Sequence, residues 1–184
     1  MVLPANGLAE IGKSHWGSEG AQGKGADVAL FTSEYSFKVD RKGRVSVPAD
    51  YRAALQSQSF QGIVVIPAMG EQALDGYASD RLEAMSRALD VPGTYNDEER
   101  EEAELLFASA RRLPFDGEGR VILPEECIQH TGITEQAVYA GLGPSFRIWN
   151  PTAYSEHKAR IAERARAKGR QLRLRPAPPA GGAQ

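Results

Sequence analysis

An internal repeat restricts the folds that this sequence can adopt. Residues 40–48 have the sequence DRKGRVSVP, and residues 116–124, seventy-six positions later, have DGEGRVILP. Asp, Gly, Arg, Val and Pro stand at the same places in both copies. Each copy is followed by a helix-like segment and then by two strand-like segments. The chain is therefore predicted to contain two copies of one unit, each with four strands and one helix.

The Asp-x-x-Gly segment of each copy is predicted to be a turn between two strands. In the first copy the flanking strands are residues 30–39 and 44–47. Asp suits the first turn position, and Gly43 can adopt a positive φ. Pro48 is expected to end the second strand and to open a short helix, because proline fits the first helical turn. In the second copy, Gly132 is the predicted stop of the corresponding helix.

Further strands and helices complete the pattern. The other predicted strands are residues 62–66 and 74–77 in the first copy and residues 137–141 and 146–150 in the second. Asn96 is predicted to cap a helix that begins with three acidic residues and ends at Arg111 and Arg112, which matches the helix dipole. A last helix is predicted from Pro151 to about residue 168.

Charge is distributed unevenly along the chain, although the formal net charge is only −2. Residues 34–52 contain five basic and three acidic side chains. Residues 53–110 contain three basic and eleven acidic side chains, and residues 154–184 contain eight basic and two acidic ones. A basic loop and a basic tail thus flank an acidic middle. Net charge alone would have argued against nucleic acid as a partner, whereas this distribution allows a polyanion to bind at a limited surface.

The sequence offers little for catalysis, cofactor binding or membrane insertion. No segment has the length of a membrane span. Cys127 is the single cysteine and is predicted to be a small buried hydrophobic residue, and the three histidines lack ligand spacing. Residues 141–144, GLGP, are predicted to be a turn, because a strand follows where a phosphate loop needs a helix. We expect no enzyme activity, catalytic residue, cofactor, metal, membrane or small-molecule substrate, and a cytoplasmic location.

The first turn carries more positive charge than a turn requires. Arg41, Lys42 and Arg44 are not needed to form it. A two-stranded ribbon tipped with cations fits the major groove of DNA, where arginine can contact guanine edges and lysine can bind phosphate. On this pattern alone, nucleic-acid binding and a merely soluble loop are both open. The candidate DNA-binding residues are Lys38, Arg41, Lys42, Gly43, Arg44 and Arg52.

The complete layout resembles the MraZ family of bacterial regulators. The resemblance rests on the two DxxGRxxxP segments, the acidic helix between them, and the stretches LPFDGEGRVILP and GPSFRIWNPTAY, and it covers about residues 28–154. It implies an α+β, mainly β fold in which two tandem AbrB-like swapped-hairpin modules form one pseudo-twofold barrel with flanking helices. The implied parts are module 1 (34–81), a helical connection (82–109) and module 2 (110–153). Composition, rather than the resemblance, predicts a glycine-rich disordered extension (1–27) and a basic helical, then disordered tail (154–184) with a Pro- and Gly-rich end.

The resemblance also implies a function. Members of the family form rings and bind tandem repeats upstream of the division and cell-wall gene cluster. The chain is accordingly expected to be a sequence-specific transcriptional regulator that binds double-stranded DNA in the nucleoid as a ring-like homo-oligomer. By position, Lys42, Gly43 and Arg44 form the core of the DNA-binding hairpin. The corresponding second-repeat motif, with a structural or weaker DNA role, consists of Asp116, Gly119 and Arg120.

The sequence also allows another function, and it departs from the pattern of the family in three places. The alternative is an AbrB-like antitoxin or protein-interaction module, which two modules and a basic tail disfavour. The strand region 71–82 is less apolar than the family pattern suggests, the tail after Tyr154 is long and basic, and residues 1–27 have no counterpart. Because VALFTSEY resembles a family start, translation from Val28 and a disordered arm of residues 1–27 are both open.

Overall fold

A computed structural model describes residues 29–169 of the 184-residue chain. The expectations for residues 1–27, and for the end of the tail after residue 169, lie outside the described residues. The chain divides into one compact unit that ends at Pro151 and a second unit that begins at Thr152. The described part of the second unit is essentially one helix, α5, Pro151–Ala167, which has no buried residue.

The described part of the first unit contains eight strands and four helices. The strands are β1 Glu34–Lys38, β2 Arg44–Ser46, β3 Gly62–Pro67, β4 Ala73–Tyr77, β5 Arg111–Pro114, β6 Arg120–Ile122, β7 Gln136–Gly141 and β8 Phe146–Trp149. The helices are α1 Ala49–Ala54, α2 Ser79–Leu89, α3 Asp97–Ser109 and α4 Glu125–Thr131. Both repeats therefore have the predicted order of two strands, a helix and two strands.

The two repeats exchange strands. β1 pairs with β7 and β5 pairs with β3, so the first strand of each repeat lies beside the third strand of the other. β4 pairs with β8 and joins the halves into a six-stranded sheet of order β1-β7-β8-β4-β3-β5, while β2 and β6 form a separate two-stranded ribbon. Mainly antiparallel strands with helices agree in outline with the predicted α+β class. The described strands form no closed barrel.

The two arms of the first hairpin do not pair along their length. The prediction that residues 30–39 and 44–47 form a two-stranded ribbon with each other is therefore wrong. The pairing described between these arms is one isolated bridge, between Val39 and Val45. The reason is that β1 exchanges its hydrogen bonds with β7, and β2 exchanges its own with β6. The ribbon next to the turns is thus built from one strand of each repeat.

The main core lies where the repeats meet. Phe146 of the second repeat has no exposed surface, and its ring centroid lies 4.9 Å from that of Phe31 and 5.2 Å from that of Tyr51 in the first repeat. Tyr139, also fully buried, lies 6.0 Å from Phe146. Because these rings come from both repeats, the apolar surface of each repeat is covered by the other.

Helix boundaries follow local signals with one exception. The side chain of Asn96 accepts a hydrogen bond from the backbone N–H of Glu99, whose carboxylate accepts one from Asn96 N–H, so α3 begins with a capping box. α4 ends at Gly132 with φ +66°, as predicted. The predicted helix end at Arg111 is wrong, because α3 ends at Ser109 and Arg111 already begins β5, which pairs with β3.

Cys127 lies in α4 with 1% of its surface exposed, which confirms the predicted buried thiol. Burial raises its pKa from 9.0 to about 11. The thiolate is the reactive form, and the raised pKa lowers its population at neutral pH. We expect iodoacetamide near pH 8 to alkylate the native protein far more slowly than the urea-unfolded protein, as followed by intact mass. Equal rates would contradict the burial.

Candidate nucleic-acid interface

The β2–β6 ribbon places the two repeat turns at its opposite ends. We call residues 40–43 the first turn and residues 116–119 the second turn. The ribbon pairs Arg44 with Ile122, Val45 with Val121, and Ser46 with Arg120. Val45 and Val121 are buried, at 0% and 1% exposure, so the residues on either side of them face outward. Each turn precedes its own strand, and the strands are antiparallel, so the turns lie at opposite ends.

In the first turn, an aspartate binds the arginine that follows the turn. Asp40 Oδ1 accepts hydrogen bonds from the backbone N–H groups of Lys42 (2.8 Å) and Arg44 (3.0 Å), and Oδ2 accepts one from Nε of Arg44 (2.6 Å). Gly43 adopts φ +75° and donates its N–H to the carbonyl of Asp40 at 2.9 Å. The backbone donor of Arg44 is the main cause that lowers the pKa of Asp40. The carboxylate therefore stays ionised at neutral pH.

The second turn repeats this geometry. Asp116 Oδ1 accepts hydrogen bonds from the backbone N–H groups of Glu118 and Arg120, both at 2.9 Å, and Oδ2 accepts one from Nε of Arg120 at 2.8 Å. The backbone donor of Arg120 is the main cause that lowers the pKa of Asp116. The Asp, Gly and Arg that the two copies share are thus explained by turn formation.

Each turn also lies against the other repeat. Val47 N–H donates to the carbonyl of Gly119 at 3.1 Å, and Leu123 N–H donates to the carbonyl of Gly43 at 2.9 Å. Arg52 of α1 lies so close to Gly119 that a Cβ there would be 2.5 Å from Nη1 of Arg52. Nε of Arg52 donates to the carbonyl of Val47 at 3.3 Å. Arg52 is thus half-buried against the second turn, and its contact with DNA stays a prediction.

The first turn presents cations that the fold uses only in part or not at all; the expectation that the turn does not need Arg44 is corrected, since Arg44 binds Asp40. Arg41 and Lys42, together with Lys38 at the end of β1, are exposed, and no side-chain hydrogen bond or ion pair engages them within residues 29–169. The side chain of Arg44 is 36% exposed and uses Nε for Asp40, which leaves Nη1 and Nη2 without a partner among the same residues. Two such N–H groups are what a bidentate contact with guanine O6 and N7 requires.

The second turn has a net negative charge, and its arginine is paired. Oε2 of Glu118 lies 2.7 Å from Nη1 of Arg120, so Arg120 binds two carboxylates. Its pKa is raised, chiefly by the side-chain hydrogen bond to Asp116, with the charge of Glu118 contributing. Residues 40–44 carry a formal charge of +2, whereas residues 116–120 carry −1. The two ends of the ribbon share a backbone geometry and differ in charge.

Ile122 is a candidate contact that the sequence analysis missed. It is 59% exposed and lies opposite Arg44 in the ribbon. The alignment of the repeats could have identified it, because Ile122 stands where the first repeat has Ser46, which marks an outward position between the buried Val121 and Leu123. An apolar side chain beside a cation fits the methyl group of thymine in the major groove.

Other kinds of site find no support among residues 29–169. No helix there combines the length and apolar character needed to cross a membrane. No group of three or more His, Cys, Asp or Glu there is placed to hold a metal ion. Residues 141–144 form the predicted turn, since β7 ends at Gly141, β8 begins at Phe146 and Gly143 adopts φ +85°.

Comparison with known proteins gives consistent matches. A family model described as "MraZ protein, putative antitoxin-like" matches residues 30–89 and 106–174, which include both turns and the ribbon. The chain is 42% identical over 142 residues to the transcriptional regulator MraZ of Rhodospirillum rubrum, covering 76% of this chain and 91% of that protein. The chain is 37% identical over 128 residues to the transcriptional regulator MraZ of Rickettsia akari, covering 70% of this chain and 86% of that protein. It is 35% identical over 145 residues to the transcriptional regulator MraZ of Rickettsia bellii (strain OSU 85-389), covering 78% of this chain and 97% of that protein.

Proposed function

Because the chain belongs to the MraZ family, we propose that it is a transcriptional regulator that binds specific sequences of double-stranded DNA through the first-turn end of its ribbon. The observation that carries this proposal is the cluster of Arg41, Lys42 and Arg44: the first two are exposed, and the half-buried Arg44 keeps both outer nitrogens unpaired among the described residues. Buried or fully paired arginines and lysines could serve stability, whereas these three are available to a polyanion.

The roles follow from the chemistry of each side chain. Arg44 is held by Asp40 through Nε, so its two outer nitrogens are oriented before DNA arrives and can bind a guanine edge. Lys42 and Arg41 lie in the turn itself and neutralise phosphates, which contributes affinity without selecting a sequence. Gly43 acts through the backbone, since its φ of +75° allows the turn. Regulation then works by occupancy of the operator, with no chemical step of its own.

Useful affinity requires several chains on one DNA. A single turn, with three cations, neutralises at most about three phosphates, and binding of that kind is weak and sensitive to salt. Linked sites raise the affinity through effective concentration. Tandem sites in one direction require head-to-tail contacts between chains, which close into a ring. We therefore propose a ring-like homo-oligomer, with the acidic segment 53–110 away from the DNA and the operator in the upstream region of the division and cell-wall gene cluster.

The test is a titration of the full-length protein with its own upstream DNA and with a scrambled duplex of the same length, at salt concentrations from about 50 to about 300 mM. We expect tighter binding to the upstream DNA and a linear fall of log K with log salt. Equal affinity for both duplexes at every salt concentration would refute sequence-specific regulation. The second candidate, suggested by the family description, is an antitoxin-like role, and it requires a toxin gene next to this one.

Lys42→Ala is expected to weaken binding to the upstream and scrambled DNA by the same factor. It should also reduce the steepness with which log K falls against log salt, here called the salt slope, by about 0.9, the contribution of one phosphate contact. Fluorescence anisotropy with both duplexes measures the two effects. Arg100→Ala, which removes an exposed cation from α3, is the control and should leave the slope unchanged. A loss confined to the upstream DNA would mean that Lys42 contacts a base.

A further inference from the structure

Position 118 is where the two turns differ most. Glu118 occupies the position that Lys42 occupies in the first turn, two residues before the arginine in both cases. The backbone is the same at both places, since the N–H of each residue donates to the aspartate Oδ1, at 2.8 Å for Lys42 and 2.9 Å for Glu118. The difference between the two ends of the ribbon is therefore one of side-chain charge.

The carboxylate of Glu118 takes the place at Arg120 that a phosphate would take. It lies 2.7 Å from Nη1, while Nε is bound to Asp116, so two donor positions of Arg120 are filled from within the turn. A phosphate at this end would have to displace Glu118 and would meet its negative charge. The Glu118 side chain is 71% exposed, and an ion pair at such a site contributes little to folding stability. Its main effect falls on whatever approaches Arg120.

We propose that Glu118 is a specificity-determining residue that closes the second turn to DNA, so that each chain contacts DNA through one end of its ribbon and in one direction. This inference rests on the proposed DNA-binding function. It explains how a molecule with two similar turns avoids binding one site in two opposite orientations. The ends of the β2–β6 ribbon would otherwise offer matched arginines, Arg44 and Arg120, on matched backbones.

The structure allows the second turn to be converted into the first. Apart from the adjacent residues, no heavy atom lies within 4 Å of a Cβ added to Gly117, so a substitution there meets no clash at Cβ. Gly117→Arg combined with Glu118→Lys gives residues 116–120 the sequence of residues 40–44. Glu118→Lys alone removes the carboxylate and adds an ammonium group. Glu102→Lys makes the same charge change on an exposed position of α3 and is the matched control.

The experiment measures binding of the full chain and these variants to the upstream DNA and to a scrambled duplex across salt concentrations, with thermal unfolding as the folding check. We expect Glu118→Lys to steepen the salt slope by about 1.8 and the double variant by about 2.7, with scrambled DNA gaining most, because the released Arg120 and each introduced cation can form one phosphate contact. Glu102→Lys should match the unsubstituted protein. Glu118→Gln, which removes the carboxylate only, should shift affinity in the same direction by a smaller factor.

Two contrary outcomes are distinguishable. If the unsubstituted protein binds its upstream DNA specifically and both Glu118 variants behave like Glu102→Lys, the role of Glu118 is refuted and the proposed function stands. If the unsubstituted protein shows no preference for its upstream DNA at any salt concentration, the proposed function is refuted, and the inference about Glu118 is refuted with it.

Discussion

Replacing Arg44 with alanine is expected to weaken binding to the specific operator by about 1 to 3 kcal/mol, roughly 5- to 150-fold. The physical reason is that Asp40 holds Arg44 through Nε, which leaves both outer nitrogens to a guanine edge. Arg120 has Nη1 bound to Glu118, so Arg120→Ala should alter packing or subunit contact more than DNA binding. The measurement is a binding titration of both variants with operator and scrambled DNA.

The control separates base contact from damage to the turn, because Arg44→Ala also removes the bond to Asp40. Circular dichroism checks the fold of each variant. Arg44→Lys keeps the charge but lacks the planar fork, so specific binding should fall while the salt slope is retained. Equal losses at Arg44 and Arg120, or normal operator binding without Arg44, would show that the turns are assigned wrongly.

Phe146→Ala is expected to lower the free energy of unfolding by about 3 to 5 kcal/mol, the range for truncating a buried aromatic residue. The side chain has no exposed surface and contacts Phe31 and Tyr51 of the other repeat. Because the core is shared, the loss should appear in one transition that reports on both repeats. Urea unfolding followed by tryptophan fluorescence and by far-ultraviolet circular dichroism measures it.

The matched control for Phe146→Ala is Leu105→Ala, a truncation of an apolar side chain that is 65% exposed on α3. Its effect should stay within about 0.5 kcal/mol, as for most surface substitutions. Non-coincident transitions in the two signals would show that the repeats unfold independently, in conflict with a shared core.

The turns and caps were predictable because their determinants are local. Asp40 and Gly43 form the first turn within a few residues, and Asn96 with Glu99 forms the capping box within one helical turn. Strand partners were not predictable in this way. The alternation of β1 is the same whether it pairs within its own repeat or with β7, about a hundred residues away, and two similar copies make both pairings plausible from pattern alone.

The candidate site was likewise predictable from the sequence only in part. The excess charge of the first turn was visible in the sequence, because charge can be counted. The individual contacts were not, since an exposed cation and a cation packed on a glycine look alike in a sequence. Arg52 was predicted to contact DNA, and the structure places its guanidinium group against Gly119. The ion pair of Glu118 with Arg120 likewise depends on side-chain geometry.

The exchange of strands between the repeats has a consequence for symmetry. Two identical single-repeat chains that exchanged strands in this way would form the ribbon only when they met, so its presence would depend on protein concentration. Their twofold symmetry would also oblige both ends of the ribbon to carry the same residues. Covalent fusion removes both constraints, because β2 and β6 always share a chain and each turn has its own sequence. A symmetric dimer of identical chains could not place Lys42 in one turn and Glu118 at the equivalent position of the other, whereas the fused chain does, so its two nearly symmetric ends differ in charge.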